Sequence, residues 1–355
     1  MPRPARREVL IGAGAWALGP GVAVAAEAGK PGSRAPALQP SKTEEGQAMV
    51  YDAYTWRRRE LDKRLPLSEP WPAEAQIGAL FKRFGLDTAP VPEAIPVPSQ
   101  VLRDVYLVNS VPNHAYLIDG GADGLALIDP GLEANVEAIL KAVDALGFQR
   151  RAIRWVINTH AHFDHSQADA HFQRLGAKVL VGRGDAPAVE KGTGVTAKYV
   201  LGAAQSAAYP TLTVDHALDD GEEIRLGDKT MIAIATPGHT PGSTCYRLEI
   251  DGANVLFGGD TILFDYRLGA QATPYIDNAA YLASLRKLAA YFSYPLVRGR
   301  WDMLLPGHGT IVLDRAYADV VKGARQVQWA MANGEPINAL PFADDYYRKL
   351  MFGRP

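Results

Sequence analysis

Four side chains able to hold a metal fall within six residues of this chain. His160, His162, Asp164 and His165 lie in the run Thr159-His-Ala-His-Phe-Asp-His. Imidazole and carboxylate are ligands for zinc, and also for iron and manganese. His160 and His162 alternate and can point the same way. Asp164 and His165 are adjacent and must diverge, which is what two neighbouring ions need. Three more residues extend the set: His239 in Thr236-Pro-Gly-His-Thr-Pro-Gly-Ser, Asp260 in Phe257-Gly-Gly-Asp-Thr and His308 in Leu305-Pro-Gly-His-Gly. Each follows an apolar run and sits among glycines, which let the backbone turn tightly beside a ligand. Five of the eight histidines occupy such positions, so the clustering is a property of the chain and not of its composition.

Two close divalent ions would lower the pKa of a water between them and orient it for attack on a carbonyl carbon. Asp164 would take the proton of that nucleophile and return it to the leaving group. The Gly-x-Ser-x-Gly elbow of a serine hydrolase is absent. Thr159, Thr240 or backbone carbonyls are expected to support the ligands from behind. His171 and His216 read as ordinary satisfied polar residues. His114, in Pro-Asn-His-Ala-Tyr, leaves open a place facing the cleft. The single cysteine, Cys245, has no partner for an internal disulfide and reads as a buried strand residue.

The elements that must position these groups are short. Strands are expected at 101–108, 115–119, 125–129 and 153–158, with a hairpin turn at Gly120-Gly-Ala-Asp-Gly. A helix is expected from Val136 to Leu146. Another, from about Ser166 to Leu175, precedes a strand at 178–181. Strand, helix, strand is the crossover signature of an α/β architecture. A second run of strands follows at 223–226, 230–234, 244–250 and 254–257. A helix at 278–291, a strand at 302–305 and a helix at 314–332 complete it. Two strand-rich halves with helices outside predict two packed sheets covered on both faces.

The chain opens with Arg6-Arg7 and an apolar, Ala/Gly-rich run to about Ala26, the pattern of an export signal of the twin-arginine kind. Residues 1–25 are expected to be removed, leaving a periplasmic or secreted protein without stable membrane insertion. Residues 26–46 read as a linker, 47–99 as an N-terminal extension with helices near 52–64 and 74–84, 100–335 as the catalytic domain and 336–355 as a tail. On the second helix Ile77, Leu80, Phe81 and Phe84 share one side. The 355 residues are 47% apolar with a formal net charge of -2, which permits a sizeable core and does not point to nucleic acid as a partner.

With its His-x-His-x-Asp-His motif, the chain resembles the metallo-β-lactamase superfamily over roughly residues 100–315. The resemblance implies an α/β, four-layer αβ/βα sandwich with the metals at one edge between the sheets. It implies two divalent ions, zinc first among zinc, iron and manganese. His160, His162 and His239 would hold one ion, Asp164, His165 and His308 the other, and Asp260 would bridge them. An aspartate at 260 is similar to the hydroxyacylglutathione hydrolases, the lactonases and related hydrolases. The local text around His160 and His239 is also similar to the third subclass of metallo-β-lactamases. The expected reaction is therefore hydrolysis of a carboxylic ester or lactone in a small-molecule substrate. The alternatives are a β-lactam amide and, further off, iron-dependent redox chemistry. By resemblance to the lactonases, Tyr266 or Tyr275 would assist the leaving group. A homodimer is compatible with the family.

Overall fold

The structure is a computed structural model. It describes residues 74–89, 95–110, 112–192, 194–196, 209–263, 268–269, 275–291, 300–309, 311–313, 315–334 and 337, with a few scattered positions before 74. The expected export segment, the linker, the tail and the helix near 52–64 lie outside the described residues almost entirely.

Seven strands form the first sheet, in the order in which they leave the chain: β1 Ser99–Leu102, β2 Val105–Asn109, β3 Ala115–Asp119, β4 Leu125–Ile128, β5 Ile153–Asn158, β6 Lys178–Gly182 and β7 His216–Leu218. β1 to β4 are antiparallel neighbours, and β4 to β7 are parallel. The single strand expected at 101–108 is thus a hairpin. Its reversal falls at Arg103-Asp104, where Asp104 has φ of 62°, a left-handed position that short polar side chains tolerate.

The second sheet contains β8 Glu223–Leu226, β9 Lys229–Ala235, β10 Thr244–Ile250, β11 Ala253–Gly259 and β12 Met303–Pro306. β8 to β11 form an antiparallel meander, and β12 joins β11 in parallel. The two-residue strand Glu8–Val9 lies beside β8.

Strand alternation builds the layers. Val105, Leu107, Tyr116, Ile118 and Ile157 of the first sheet face Ile224, Met231, Tyr246, Leu248 and Phe257 of the second, which makes the central core. The intervening residues Tyr106, Val108, Leu117 and Val156 face outward onto helix α2, Val136–Ala145, through Ile139, Leu140 and Val143. On the other side, Ile234, Cys245, Leu256 and Leu304 pack under two helices that follow in the chain. These contribute Tyr281, Leu285 and Leu288 from Asn278–Ala290, and Val320 and Val327 from Ala316–Asn333. Helix, sheet, sheet, helix is the four-layer αβ/βα sandwich expected. Each fully buried leucine or valine in these layers contributes about 1.5–3 kcal/mol.

The extension supplies helix α1, Glu74–Arg83, whose Ile77 and Phe81 bury with Leu61 and Leu86 in a small cluster of their own. Leu80 and Phe84 pack at its margin, on the expected face. Among the described residues no helix is long and apolar enough to cross a membrane.

Candidate metal centre

Three parallel strands deliver their C-terminal ends side by side. Asp129 follows β4, the His-x-His-x-Asp-His run follows β5, and Asp185 lies three residues beyond β6. In open α/β sheets this edge is where ligands bind. The expected loop after β5 is partly helical. His160 and His162 precede helix α3, Phe163–Ser166, and Asp164 and His165 ride on its first turn. The helix expected over 166–175 is observed as α4, Asp169–Arg174, and the short α3 before it is an added turn. From the second sheet, Asp260 follows β11 and His308 follows β12, again parallel neighbours. His239 comes from the turn between β9 and β10.

All seven converge. His160, His162 and His239 offer nitrogens within 4.8 Å of one another. So do the ligand atoms of Asp164, His165 and His308, and those of His160, His165 and Asp260. Asp260 lies between the groups, 3.7 Å from Nε2 of His239, 3.5 Å from Nε2 of His308 and 3.4 Å from Nε2 of His165. The backbone closes tightly around it. A Cβ on Gly307 would come within 2.5 Å of Asp260 Oδ1 and 2.7 Å of His165 Cε1, so only glycine fits there.

The hydrogen bonds behind the rings show what the front atoms can do. Thr159 Oγ1 donates to Asp129 Oδ2 at 2.6 Å, so it must accept from Nδ1 of His160 at 3.1 Å. His165 Nδ1 donates to Asp129 Oδ2 at 3.0 Å, and His308 Nδ1 donates to the Pro112 carbonyl at 2.7 Å. Each of these rings thereby carries its outer proton away from the centre. Nε2 of His160 is buried without a hydrogen-bond partner, as are His162 Nε2, His239 Nδ1 and Asp260 Oδ1. Nε2 of His165 and Nε2 of His308 face each other at 3.1 Å, and His162 Nδ1 faces His239 Nε2 at 3.0 Å. Nitrogens crowded together at such distances suit a cation placed among them, which would take their lone pairs in place of any inward proton. The residues fit a pair of divalent ions.

The electrostatics divide the site in two. Burial, reinforced by neighbouring imidazoles, holds His160 well below its ordinary pKa and His162 down to about 3. Burial also lowers His239. For His165 burial opposes the charge, but Asp260, Asp164 and Asp129 outweigh it and raise the ring well above its usual range. His308 is pushed up to about 10 by Asp260 and Asp164 against the same burial. Burial would raise the Asp164 carboxyl, yet His165 and His308 hold it down to about 2. Asp260 is held well below the ordinary range by the same two rings. Neutral imidazoles on one side suit a cation directly, and on the other the ionised carboxylates suit one that displaces the protons of His165 and His308.

Of the supports expected, Thr159 reaches His160 and a backbone carbonyl holds His308. Thr240 instead donates to Asp185 Oδ2 at 2.7 Å. That carboxylate also accepts from the Ala161 N–H at 2.8 Å and the Gly242 N–H at 2.7 Å. It thus ties the turn between His160 and His162 to the loop after His239. Sequence reasoning missed Asp185 altogether and took Asp129 only as a strand end. Their one signal was an acidic residue just past an apolar strand, which has meaning only once the strand order is known.

His114 is fully buried, and desolvation lowers its pKa to about 4. Its Nε2 meets the Gly309 carbonyl. His171 pairs with Glu133 and His216 with Glu222, as satisfied polar residues should. Cys245 is buried on β10, where desolvation pushes its thiol up to about 11. Tyr275 is 38% exposed, and Tyr266 lies outside the described residues.

Residues 108–291 match the family model described as metallo-β-lactamase superfamily. Among curated proteins, the chain is 30% identical over 190 residues to a probable metallo-hydrolase of Burkholderia pseudomallei, covering 48% of this chain and 62% of that protein. It is 32% identical over 152 residues to a hydroxyacylglutathione hydrolase of Maricaulis maris, covering 42% and 48%. The matched region spans less than two thirds of the length of either relative. Among solved structures, a subclass B3 metallo-β-lactamase of Bradyrhizobium japonicum aligns at a TM-score of 0.53 with 25% identity, over 67% of this chain and 92% of that one. The family match covers more than half of the chain and every candidate ligand except His308; the chain belongs to the metallo-β-lactamase superfamily.

Proposed function

We propose that this metal-dependent hydrolase opens a carboxylic ester or lactone, with His160, His162 and His239 holding one zinc ion, Asp164, His165 and His308 a second, and Asp260 bridging them. The observation that carries the reading is the place of Asp260, within 3.7 Å of rings from both groups. By resemblance, a bridging aspartate goes with the hydroxyacylglutathione hydrolases and lactonases. The relatives named hydroxyacylglutathione hydrolase, which by name hydrolyse an acyl derivative of glutathione, support an acyl substrate.

When bound, two divalent ions supply an activated water and polarise the carbonyl it attacks. The chain's own contribution centres on Asp164. Its side chain is 13% exposed, against 0% for His165 and 7% for His308, so it is the group of its triad most open to water and substrate. Held ionised by His165 and His308, it is poised to take a proton from the attacking water and deliver it to the leaving oxygen. Asp129 keeps the His165 ring and, through Thr159, the His160 ring from rotating as charge moves, while Asp185 ties together the backbone segments that carry His160, His162 and His239. Tyr266 or Tyr275 would add a proton or hydrogen bond to the leaving group. The Arg6-Arg7 segment fits export by the twin-arginine route, which the N-terminus of the protein recovered from the periplasm would test.

A second reading, hydrolysis of a β-lactam amide, is favoured by the likeness to the Bradyrhizobium japonicum enzyme. One panel separates the two: an aryl ester, a γ-lactone, an acyl homoserine lactone, an acyl-glutathione thioester, a penicillin and a carbapenem, each against an Asp164→Ala control. Turnover of lactone or ester with β-lactams untouched is the expected result. Fast β-lactam turnover with slow lactone turnover would replace the first reading by the second.

A further inference from the structure

Residues 112–116, which lead into β3, are moulded around the loop that carries His308. Tyr116 donates its hydroxyl proton to the Pro306 carbonyl at 2.8 Å. The His114 backbone N–H donates to the Gly307 carbonyl at 2.7 Å. The His114 ring lies with Nε2 2.5 Å from the Gly309 carbonyl. A carbonyl only accepts, so Nε2 carries the proton. Pro112 completes the set by accepting from Nδ1 of His308 at 2.7 Å.

These four bonds join different sheets, because β3 belongs to the first and β12 to the second. His114 contributes two of them, one to the residue before His308 and one to the residue after it. The loop is glycine on either side of its ligand, Gly307-His-Gly309, and glycine gives a backbone little intrinsic preference. Its conformation must be imposed from outside, and His114 is the residue that spans it, with its backbone N–H on Gly307 and its ring on Gly309. The other ring nitrogen of His114 is buried without a hydrogen-bond partner, so the Gly309 bond is the ring's one polar anchor.

We propose that His114 is the positioning residue for His308: it fixes the Gly307–Gly309 backbone so that Nε2 of His308 meets Asp164 and His165, and it thereby sets the affinity of the second ion without ligating it. The proposal rests on the two-ion reading of the site but not on the substrate. Glutamine at 114 retains an amide N–H for the Gly309 carbonyl, whereas leucine fills the space and donates nothing.

The test is zinc stoichiometry and stepwise zinc affinity, measured on the full chain by competition with a chromophoric chelator. In His114→Leu the second ion should bind about 10–100-fold more weakly, with the first unchanged, and His114→Gln should return close to wild type. Equal weakening of both ions, an unaffected second ion, or failure of glutamine to rescue would overturn the proposal. A wild-type chain that takes up a single ion would overturn the two-ion reading and the proposal with it. If His114→Leu does not fold, His114→Met decides. It fills the space with a flexible side chain, donates nothing to the Gly309 carbonyl and should weaken the second ion selectively; an unchanged second affinity would overturn the proposal.

Discussion

The Asp129 carboxylate accepts a hydrogen bond from Nδ1 of His165 at 3.0 Å, on the same oxygen that accepts from Thr159 Oγ1 at 2.6 Å. Through Thr159 it also governs His160. One carboxylate behind the site therefore fixes the tautomer of a ring in each half of it. Asp129 itself sits at φ of 49°, a left-handed conformation that costs energy for most residues and is tolerated by aspartate. Its remaining oxygen accepts from the Thr159 N–H at 2.7 Å. Asp129→Asn brings an amide donor toward groups that already donate. We expect it to weaken metal binding about 10–100-fold, and Thr159→Val to weaken only the ion held by His160. Chelator competition reads both, and wild-type affinities in Asp129→Asn would refute this role.

Asp185 has no contact with a ligand ring in the hydrogen-bond network, yet it joins the two segments that supply the three-histidine group. Asp185→Ala leaves the Ala161 and Gly242 N–H groups short of an acceptor, while the Thr240 hydroxyl can turn to Ser243 Oγ at 2.7 Å. At about 1–3 kcal/mol for each orphaned group, stability should fall by roughly 2 kcal/mol or more. The urea midpoint of the metal-free protein measures this. A change within experimental scatter would mean that the loops hold their shape without the carboxylate.

Metal uptake should release protons. In the metal-free protein His308 keeps its proton up to about pH 10, and His165 is likewise raised, burial being outweighed by the facing carboxylates. An ion must displace what these rings hold. Affinity should therefore rise with pH through the range below about 10 and fall as the medium is acidified. Calorimetry in buffers of different ionisation enthalpy counts the protons, and a buffer-independent heat at pH 7 would contradict the expectation. Removal of metal should also abolish turnover and lower the melting temperature.

Asp169 on α4 gives a second, separate pH signature. It is fully buried against Asn158, and desolvation raises its carboxyl well above the ordinary range. The folded state thus binds a proton that the unfolded chain has already lost, so stability falls as pH rises above about 4. Asp169→Asn keeps an acceptor for Asn158 and removes the titration. Its stability should depend less on pH above 4 and exceed wild type at pH 7. Parallel pH-stability curves for the two proteins would rule out Asp169 as the source.

The seven candidate ligands were legible because their chemistry is carried by residue type and by position just past an apolar strand. The short apolar segments at 153–158 and 244–250 likewise named their own strands. The hairpin at Arg103-Asp104 was not legible, since a two-residue reversal inside an apolar run leaves the period of the pattern nearly intact. The start of α3 was missed because Asp164 and His165 are poor helix formers, and a single helical turn is held there by its surroundings.

The sequence by itself determined which groups can bind metal, that they cluster beyond strand ends, and which faces of the strands are apolar. These are local properties of side chains and spacing. Only the tertiary structure decided that β4, β5 and β6 are parallel neighbours, so that Asp129 and Asp185 flank the histidine run from either side. It also decided that β3 crosses to β12, so that His114 brackets His308. A hydrogen bond between residues nearly two hundred positions apart leaves no periodic trace in the chain. It exists because sheet packing buries the backbone carbonyls around the candidate metal ligands, and buried carbonyls must find donors.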